Sequence, residues 1–438
     1  MKKLSIILFL SVAVCATAQI APQDYPSVTA QEIADARRFT VSLAVMGPDW
    51  PLYSAWGHCA MIVEEIPSPE NAADLLDLEK PFQTMYDYGI FDMRQEGFFK
   101  DFAFGIMNYA VMASDPTYSL RFPYQAQHRS VDILTLNLPP EGKMRAVKYL
   151  RENVKPENSL YRYNFFTNNC STILRDIIDM ALDGQLYEIA SAETEYTLRE
   201  HLFRYLDNRF WTEWGFDYVL GPPMDHTATV WETLFMPPEM LKVLPTVSYT
   251  DGEGRAVPLV SGRRTVAEAG DDMPIIRQTP AATWIPALLL GIAVGAIGGF
   301  FALIGAVHPG LRIFGGIFTA AVAAFLFACS LILTHFMAFT EFDCTYGNWN
   351  LLAAGPLLLL LIFASIRYAA GRRGARAFCT VGWFLCLTGA VILLILEETG
   401  VVQQSSRMIL MTVIPMYGLF FAGNLFAVSP KPENRRLL

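Results

Sequence analysis

The chain has 438 residues, seven cysteines and a formal net charge of −9, and 53% of its residues are hydrophobic. With a positive mean hydropathy it is too apolar throughout for an ordinary soluble protein, and its length implies two or three domains. No basic stripe accompanies the acidic balance, so nucleic acid is not an expected partner.

The N-terminus reads as an export signal. Lys2 and Lys3 precede an apolar core from Leu4 to Val14, and Ala16-Thr17-Ala18 supplies an A-x-A cleavage site before Gln19. Cys15 follows Val14, where lipoprotein processing wants a small residue, so the expected cleavage is after Ala18 and residues 1–18 are assigned to a signal peptide. Between Gln19 and Thr283 the chain holds only two cysteines, Cys59 and Cys170. An exported domain of that size is either stapled once or keeps a free thiol for a purpose.

Residues 19–283 are mixed and aromatic-rich, without repeats. Gln31–Met46 predicts a helix that gives way to a strand in RFTVSLAVM, and Gly47-Pro48 with Trp50-Pro51 punctuates a loop. YSAWGHCAMIVEE predicts a strand from about Gly57. A polar segment, Ser68–Lys80, separates it from a second strand in TMYDYGIFDM, so an antiparallel pair is expected. Gly97–Met112 reads as helical or irregular, HRSVDILTLNLP as a third strand and Pro140–Val154 as a short helix.

Next comes NFFTNNCSTILRD, followed by IIDMAL. Ile173, Leu174, Ile177, Ile178 and Ala181 form the stripe of a helix buried along one face, and Gly184 supplies a stop. Asn168, Asn169 and Ser171 are residue types that cap helix starts. Cys170 therefore lies at a helix N-terminus, where the peptide dipoles lower a thiol's pKa. A buried structural cysteine is the competing reading. Farther on, Thr197–Phe210 predicts a helix, WTEWGFDYVLGPP an aromatic loop, and VSYTDGEGRAVPLV a hairpin around Asp251-Gly252.

A cysteine nucleophile needs a base and a group that orients the base. His58 begins a predicted strand and is the favoured base. Side-chain alternation along that strand would turn Cys59 to the other face, which argues against a Cys59–Cys170 disulfide and makes Cys59 a small core residue. Asp87, on the partner strand, is placed to accept an imidazole N–H, with a surface carboxylate as the equal alternative. His128 reads as structural or surface, His201 as helix surface and His226 as loop. No H-E-x-x-H, paired C-x-x-C or calcium loop occurs, so neither metal nor other cofactor is expected. The absence of G-x-S-x-G argues against a common serine hydrolase. Backbone N–H groups at the helix start, with Asn169 or a nearby tyrosine such as Tyr163, are candidate oxyanion donors and site-lining groups.

From Trp284 five apolar runs have bilayer-spanning length: about 284–307, 313–336, 351–366, 377–396 and 408–428. Arg312, Arg367, Arg372, Arg373, Arg376, Lys431, Arg435 and Arg436 fall on one side. Glu341, Asp343, Glu397 and Glu398 fall on the other, against a single Arg407. The positive-inside rule makes the basic side and the 429–438 tail cytoplasmic. An odd number of spans then places residues 19–283 outside, as the signal also requires. Gly291, Gly295, Gly298 and Gly299 form a small-residue face suited to close helix packing. In the outer loop TEFDCTYGNWN, expected to border the site, Asp343 and Trp349 are candidates, and His335 near the outer end of the second span is a candidate headgroup contact. Asp343 reads equally as a plain loop charge and Trp349 as an interfacial belt residue.

YSAWGHCAM, then YDYGIF, then YRYNFFTNNCSTILRD, resembles the family called the Lnb N-terminal periplasmic domain, and the multi-span region resembles the membrane domain found with it. His on an early strand and Cys later at a helix start also resembles circularly permuted papain-like folds. The resemblance implies an α+β periplasmic domain of that fold (19–283) followed by an all-α five-helix transmembrane bundle (284–428) in the cytoplasmic, or inner, membrane. It further implies a Cys–His acyl-transfer site with Cys170 and His58 in the matching positions and Asp87 in the D-Y-G segment. The implied activity is a lipoprotein N-acyltransferase, moving an acyl chain from a phospholipid to the α-amino group of a diacylglyceryl-cysteine lipoprotein through a Cys170 thioester. A membrane-anchored cysteine peptidase or amidase acting on cell-wall peptide is the alternative enzyme. A non-catalytic lipoprotein-binding scaffold is the third reading.

Overall fold

The computed structural model describes residues 20–66, 82–207, 209–305 and 307–427. The expected signal peptide 1–18, the polar segment Ser68–Lys80 and the expected cytoplasmic tail 429–438, with Lys431, Arg435 and Arg436, lie outside these residues. The chain divides into two compact units whose segments alternate along the sequence. The first takes the chain up to Asp92, Met107–Glu193 and Thr229–Met273; the second takes Met93–Ile106, Thr194–Ala228 and Pro274 onward.

The first unit is built on a seven-stranded sheet with β1 (Phe39–Met46), β2 (His58–Glu65), β3 (Phe82–Ile90), β4 (Asn108–Ser114), β5 (Val131–Leu136), β6 (Leu160–Arg162) and β7 (Val260–Ala267). Its order is β7-β5-β1-β2-β3-β4-β6, with every neighbour antiparallel. β1 is a nearly unbroken apolar run because both its faces are covered. Val41, Leu43 and Val45 join one core, with Cys59, Tyr88 and the helices α1 (Pro140–Asn153) and α2 (Cys170–Ala181). Ala44 and Met46 join another, with Ala60, Met85 and Leu120. The expected β2–β3 pair forms, with Ala60 opposite Asp87, and the hairpin Ser248–Thr250/Ala256–Pro258 is antiparallel as expected.

Three strands depart from the sequence reading. The Gly97–Met112 segment contains the short helix Phe98–Ala103 and then the start of β4, whose Tyr109 and Val111 are buried while Met112 is exposed. β6 has only three residues. β7 is largely exposed and carries Arg263, which pairs with Asp132 at 3.0 Å, the composition of a guarded edge rather than of a core strand. In α2 the expected one-sided stripe is an underestimate, since every residue from Cys170 to Ala181 is buried. Arg175 is accommodated by Asp176 at 2.8 Å and by the face of Trp231 at 3.8 Å from the ring centroid.

The second unit holds five helices long and apolar enough to cross a membrane: Trp284–Ile304, Pro309–Phe339, Asn350–Ala369, Ala375–Glu398 and Arg407–Leu425. The glycine face of the first lies against the fifth. A Cβ on Gly291 would come within 2.2 Å of the Thr412 carbonyl oxygen, and one on Gly299 within 2.5 Å of the Leu419 carbonyl oxygen. At one end of the bundle Arg312, in the first turn of the second helix, lies against Gly371, just after the third. At the other end Gln404 donates to Asn348 at 3.0 Å.

The stretch read as an aromatic loop is a helix, Phe210–Val219. Packing overrides its modest propensity, because Trp214 and Tyr218, one turn apart, stack at 6.0 Å and are buried in the membrane-unit core. His201, expected on a helix surface, is also buried; its ring nitrogens lie 2.9 Å from Thr194 Oγ1 and 3.0 Å from Arg204.

Candidate active site

Cys170 is the first residue of α2, and the turn before it is fixed by Asn169. The Asn169 side-chain oxygen accepts the Ser171 and Thr172 N–H groups, each at 2.8 Å. Its amide donates to the carbonyls of Phe165 and Phe235 at 2.8 and 2.9 Å, and its backbone carbonyl accepts the Ile173 N–H. The amide is thus spent on the cap and the loop, so Asn169 positions Cys170 rather than offering a free donor. Of the first-turn donors, the Cys170 N–H is the one this cap leaves unused.

His58 opens β2 directly after Gly57, whose φ of +90° bends the chain where a Cβ would meet the Met46 carbonyl oxygen at 2.8 Å. Its Nε2 lies 2.6 Å from Asp87 Oδ1 on β3. Both groups are shielded, with side-chain exposures of 26% and 19%. Burial works against a charged imidazole here, but the Asp87 carboxylate and the Cys170 thiolate outweigh it and raise the His58 pKa to about 10. The Cys170 pKa is held well below the usual thiol value. The Cys59 thiol, acting as hydrogen-bond donor, is the largest cause, and the His58 imidazolium supports it against the cost of burial. The arrangement is a resting thiolate–imidazolium pair, oriented by a carboxylate.

Cys59 corrects the sequence reading. It lies in the same core as Cys170 and α2 and interacts with the Cys170 sulphur; it does not point away. Side chains do alternate along β2, but α2 covers the face that bears Cys59. His58 nevertheless reaches Cys170 because it is the terminal residue of its strand. Both thiols are free, so no disulfide joins them.

Aromatic rings line one side of the thiol. Gly89, with φ +89°, is the point of closest approach: a Cβ there would lie 3.6 Å from Cys170 Cβ, 3.6 Å from the Tyr163 ring and 3.9 Å from the Tyr161 hydroxyl oxygen. Tyr163 continues into Tyr109 at 4.5 Å and Phe165 at 5.7 Å, and Tyr109 stacks on Phe91 at 4.8 Å. Burial, then the neighbouring Cys170 charge, pushes the pKa values of Tyr161 and Tyr163 up, so both phenols stay protonated. Sequence reasoning missed Tyr161, whose only signal was its place two residues before Tyr163.

The remaining candidates belong to the second unit. His335 Nε2 lies 2.9 Å from the Ala103 carbonyl oxygen, and its ring meets Phe104 at 5.2 Å, so it fastens the 93–106 segment to the second span. Asp343 opens the turn Asp343–Thr345, and its side chain accepts the Cys344 N–H at 2.8 Å. Trp349 is 45% exposed, and its backbone N–H is held by Gln404. Of the other histidines, His128 in the first unit is a surface residue 3.6 Å from Asp272, and His226 in the second lies in a loop.

No curated protein and no solved structure matched the chain. Residues 27–205, which contain Cys170, His58, Asp87, Cys59, Tyr161 and Tyr163, match the family described as the Lnb N-terminal periplasmic domain, and this chain joins that match to five helices of membrane-spanning length.

Proposed function

We propose that the protein is a lipoprotein N-acyltransferase of the Lnb type, and that the Cys170–His58–Asp87 constellation carries the reaction. The observation that supports it most directly is the thiol at a capped helix start beside an imidazole held 2.6 Å from a carboxylate, inside the family match. On this reading residues 1–18 are a signal peptide and 19–283 a catalytic domain of permuted papain-like fold in the periplasm. Residues 284–428 are five spans in the inner membrane, and 429–438 a cytoplasmic tail.

The Cys170 thiolate attacks an ester carbonyl of a phospholipid, forming a C–S bond. The tetrahedral intermediate collapses, the C–O bond to the glycerol breaks, and the leaving alkoxide takes the proton of the His58 imidazolium. A thioester, a neutral His58 and a lysophospholipid result. The α-amino group of a diacylglyceryl-cysteine lipoprotein then attacks the thioester and gives its proton to His58, and the thiolate leaves. Two easier displacements replace one difficult transfer. Asp87 holds one imidazole tautomer through both halves. The aromatic wall around Tyr163, Tyr109 and Phe91 keeps water from the thioester, which favours aminolysis over hydrolysis.

Mass spectrometry of lipoprotein N-termini in cells with and without the protein tests the function. The expected result is loss of the N-linked acyl chain in the deletion and in Cys170→Ala. Unchanged N-termini in a strain with no redundant enzyme overturn it. Altered peptidoglycan fragments would instead assign the cysteine to a cell-wall hydrolase.

A further inference from the structure

The Tyr161 hydroxyl is buried; the Gly89 N–H faces its oxygen, and among the described residues no group accepts its hydrogen. A buried O–H left without an acceptor costs stability, so its persistence beside a nucleophile calls for a ligand that takes the hydrogen during the reaction. Its oxygen and the Cys170 Cβ both border the position that a Cβ on Gly89 would take, at 3.9 and 3.6 Å. The ring is held from two sides, by Tyr88 at 6.0 Å and Tyr163 at 6.4 Å between centroids. A second donor at this corner is the Cys170 N–H, which the Asn169 cap leaves unused while it takes the Ser171 and Thr172 N–H groups. With its amide committed elsewhere, Asn169 does not compete for the role.

We propose that the Tyr161 hydroxyl and the Cys170 N–H together form the oxyanion hole of this site. The inference rests on the acyl-transfer reading above and adds a catalytic residue to it. When the thiolate adds to the carbonyl carbon, the C=O electron pair moves onto oxygen, and Tyr161 donates its O–H to that anion without losing the proton. Collapse returns the pair to the carbonyl and releases the hydrogen bond. The same donor serves the second addition, by the amine. Burial keeps the phenol protonated, which the role requires.

The test compares two reactions of the full chain in detergent: acylation by p-nitrophenyl butyrate, which passes through an oxyanion, and alkylation by iodoacetamide, which does not. Peptide mapping assigns both adducts to Cys170. Tyr161→Phe keeps the ring and removes only the hydroxyl. The expected result is acylation slowed about 10²–10³-fold with an unchanged alkylation rate. Acylation at the wild-type rate overturns the proposal, and so does an equal fall in both rates, which would make Tyr161 a structural support of the thiolate. If wild-type Cys170 is alkylated but never acylated, the acyl-transfer reading itself falls, and the oxyanion hole with it.

Discussion

At the scale of single residues, Cys170 is set apart by two neighbours of different kinds, a thiol and an imidazole. Because its pKa is depressed, alkylation should reach its plateau well below about pH 8.5, where an ordinary cysteine is still gaining reactivity. A midpoint near 8.5 would contradict the ion pair. Cys59→Ala removes the largest stabilising contribution and should move the Cys170 midpoint up, seen in the same alkylation profile. Asp87→Asn removes the charge that holds His58 up, so the alkaline limb of acylation should move down from about pH 10, and the rate should fall about 10²–10⁴-fold. Folding responds with the same sign. The raised His58 pKa contributes stability fully below its unfolded value of 6.5, and that contribution is lost as pH rises through about 10.

The types and order of these residues were legible in the sequence, since a cap signature before a cysteine and a histidine opening a strand are local patterns. Which face α2 covers is not local, and so Cys59 was misplaced. Tyr161 was illegible for the same reason. It sits on a three-residue strand that exists only because β4 pairs with it.

Among the elements, α2 depends on its first turn. Asn169→Ala deletes a side chain that accepts two N–H groups and donates to two carbonyls, and should cost about 1–2 kcal/mol. Thermal unfolding should show the loss, together with lower acylation because Cys170 moves. Equal stability and activity would mean that the cap is not what positions the thiol. In the membrane unit, the glycines of the first span were legible as a packing face, but their partner was not, because hydropathy carries no pairing information. The partner is the fifth span. Gly299→Leu drives a side chain into the Leu419 backbone and should cost about 1–3 kcal/mol, seen as reduced yield of folded protein in detergent, whereas Gly418→Ala, where the added Cβ meets nothing, should be neutral. Helix Phe210–Val219 was lost to sequence reading because its aromatic residues favour a helix only once Trp214 and Tyr218 are buried.

For the whole molecule, the charge asymmetry of the loops and the export signal expected from residues 1–18 argue for one topology from unrelated physics. Single cysteines in a background lacking the native exposed thiols test it. Glu398→Cys should react with a membrane-impermeant maleimide in intact cells, and Arg373→Cys only after permeabilisation. The reverse pattern would invert the bundle. The central claim is that Cys170 carries an acyl group between a lipid and an amine. The most direct measurement is intact-protein mass spectrometry after incubating the full chain in phospholipid vesicles. The account predicts one fatty-acyl increment on Cys170, released by neutral hydroxylamine, absent from Cys170→Ala, and discharged when a diacylglyceryl lipopeptide with a free α-amino group is added. An acyl increment that persists in Cys170→Ala, or a lipopeptide N-acylated without any adduct at Cys170, would contradict it.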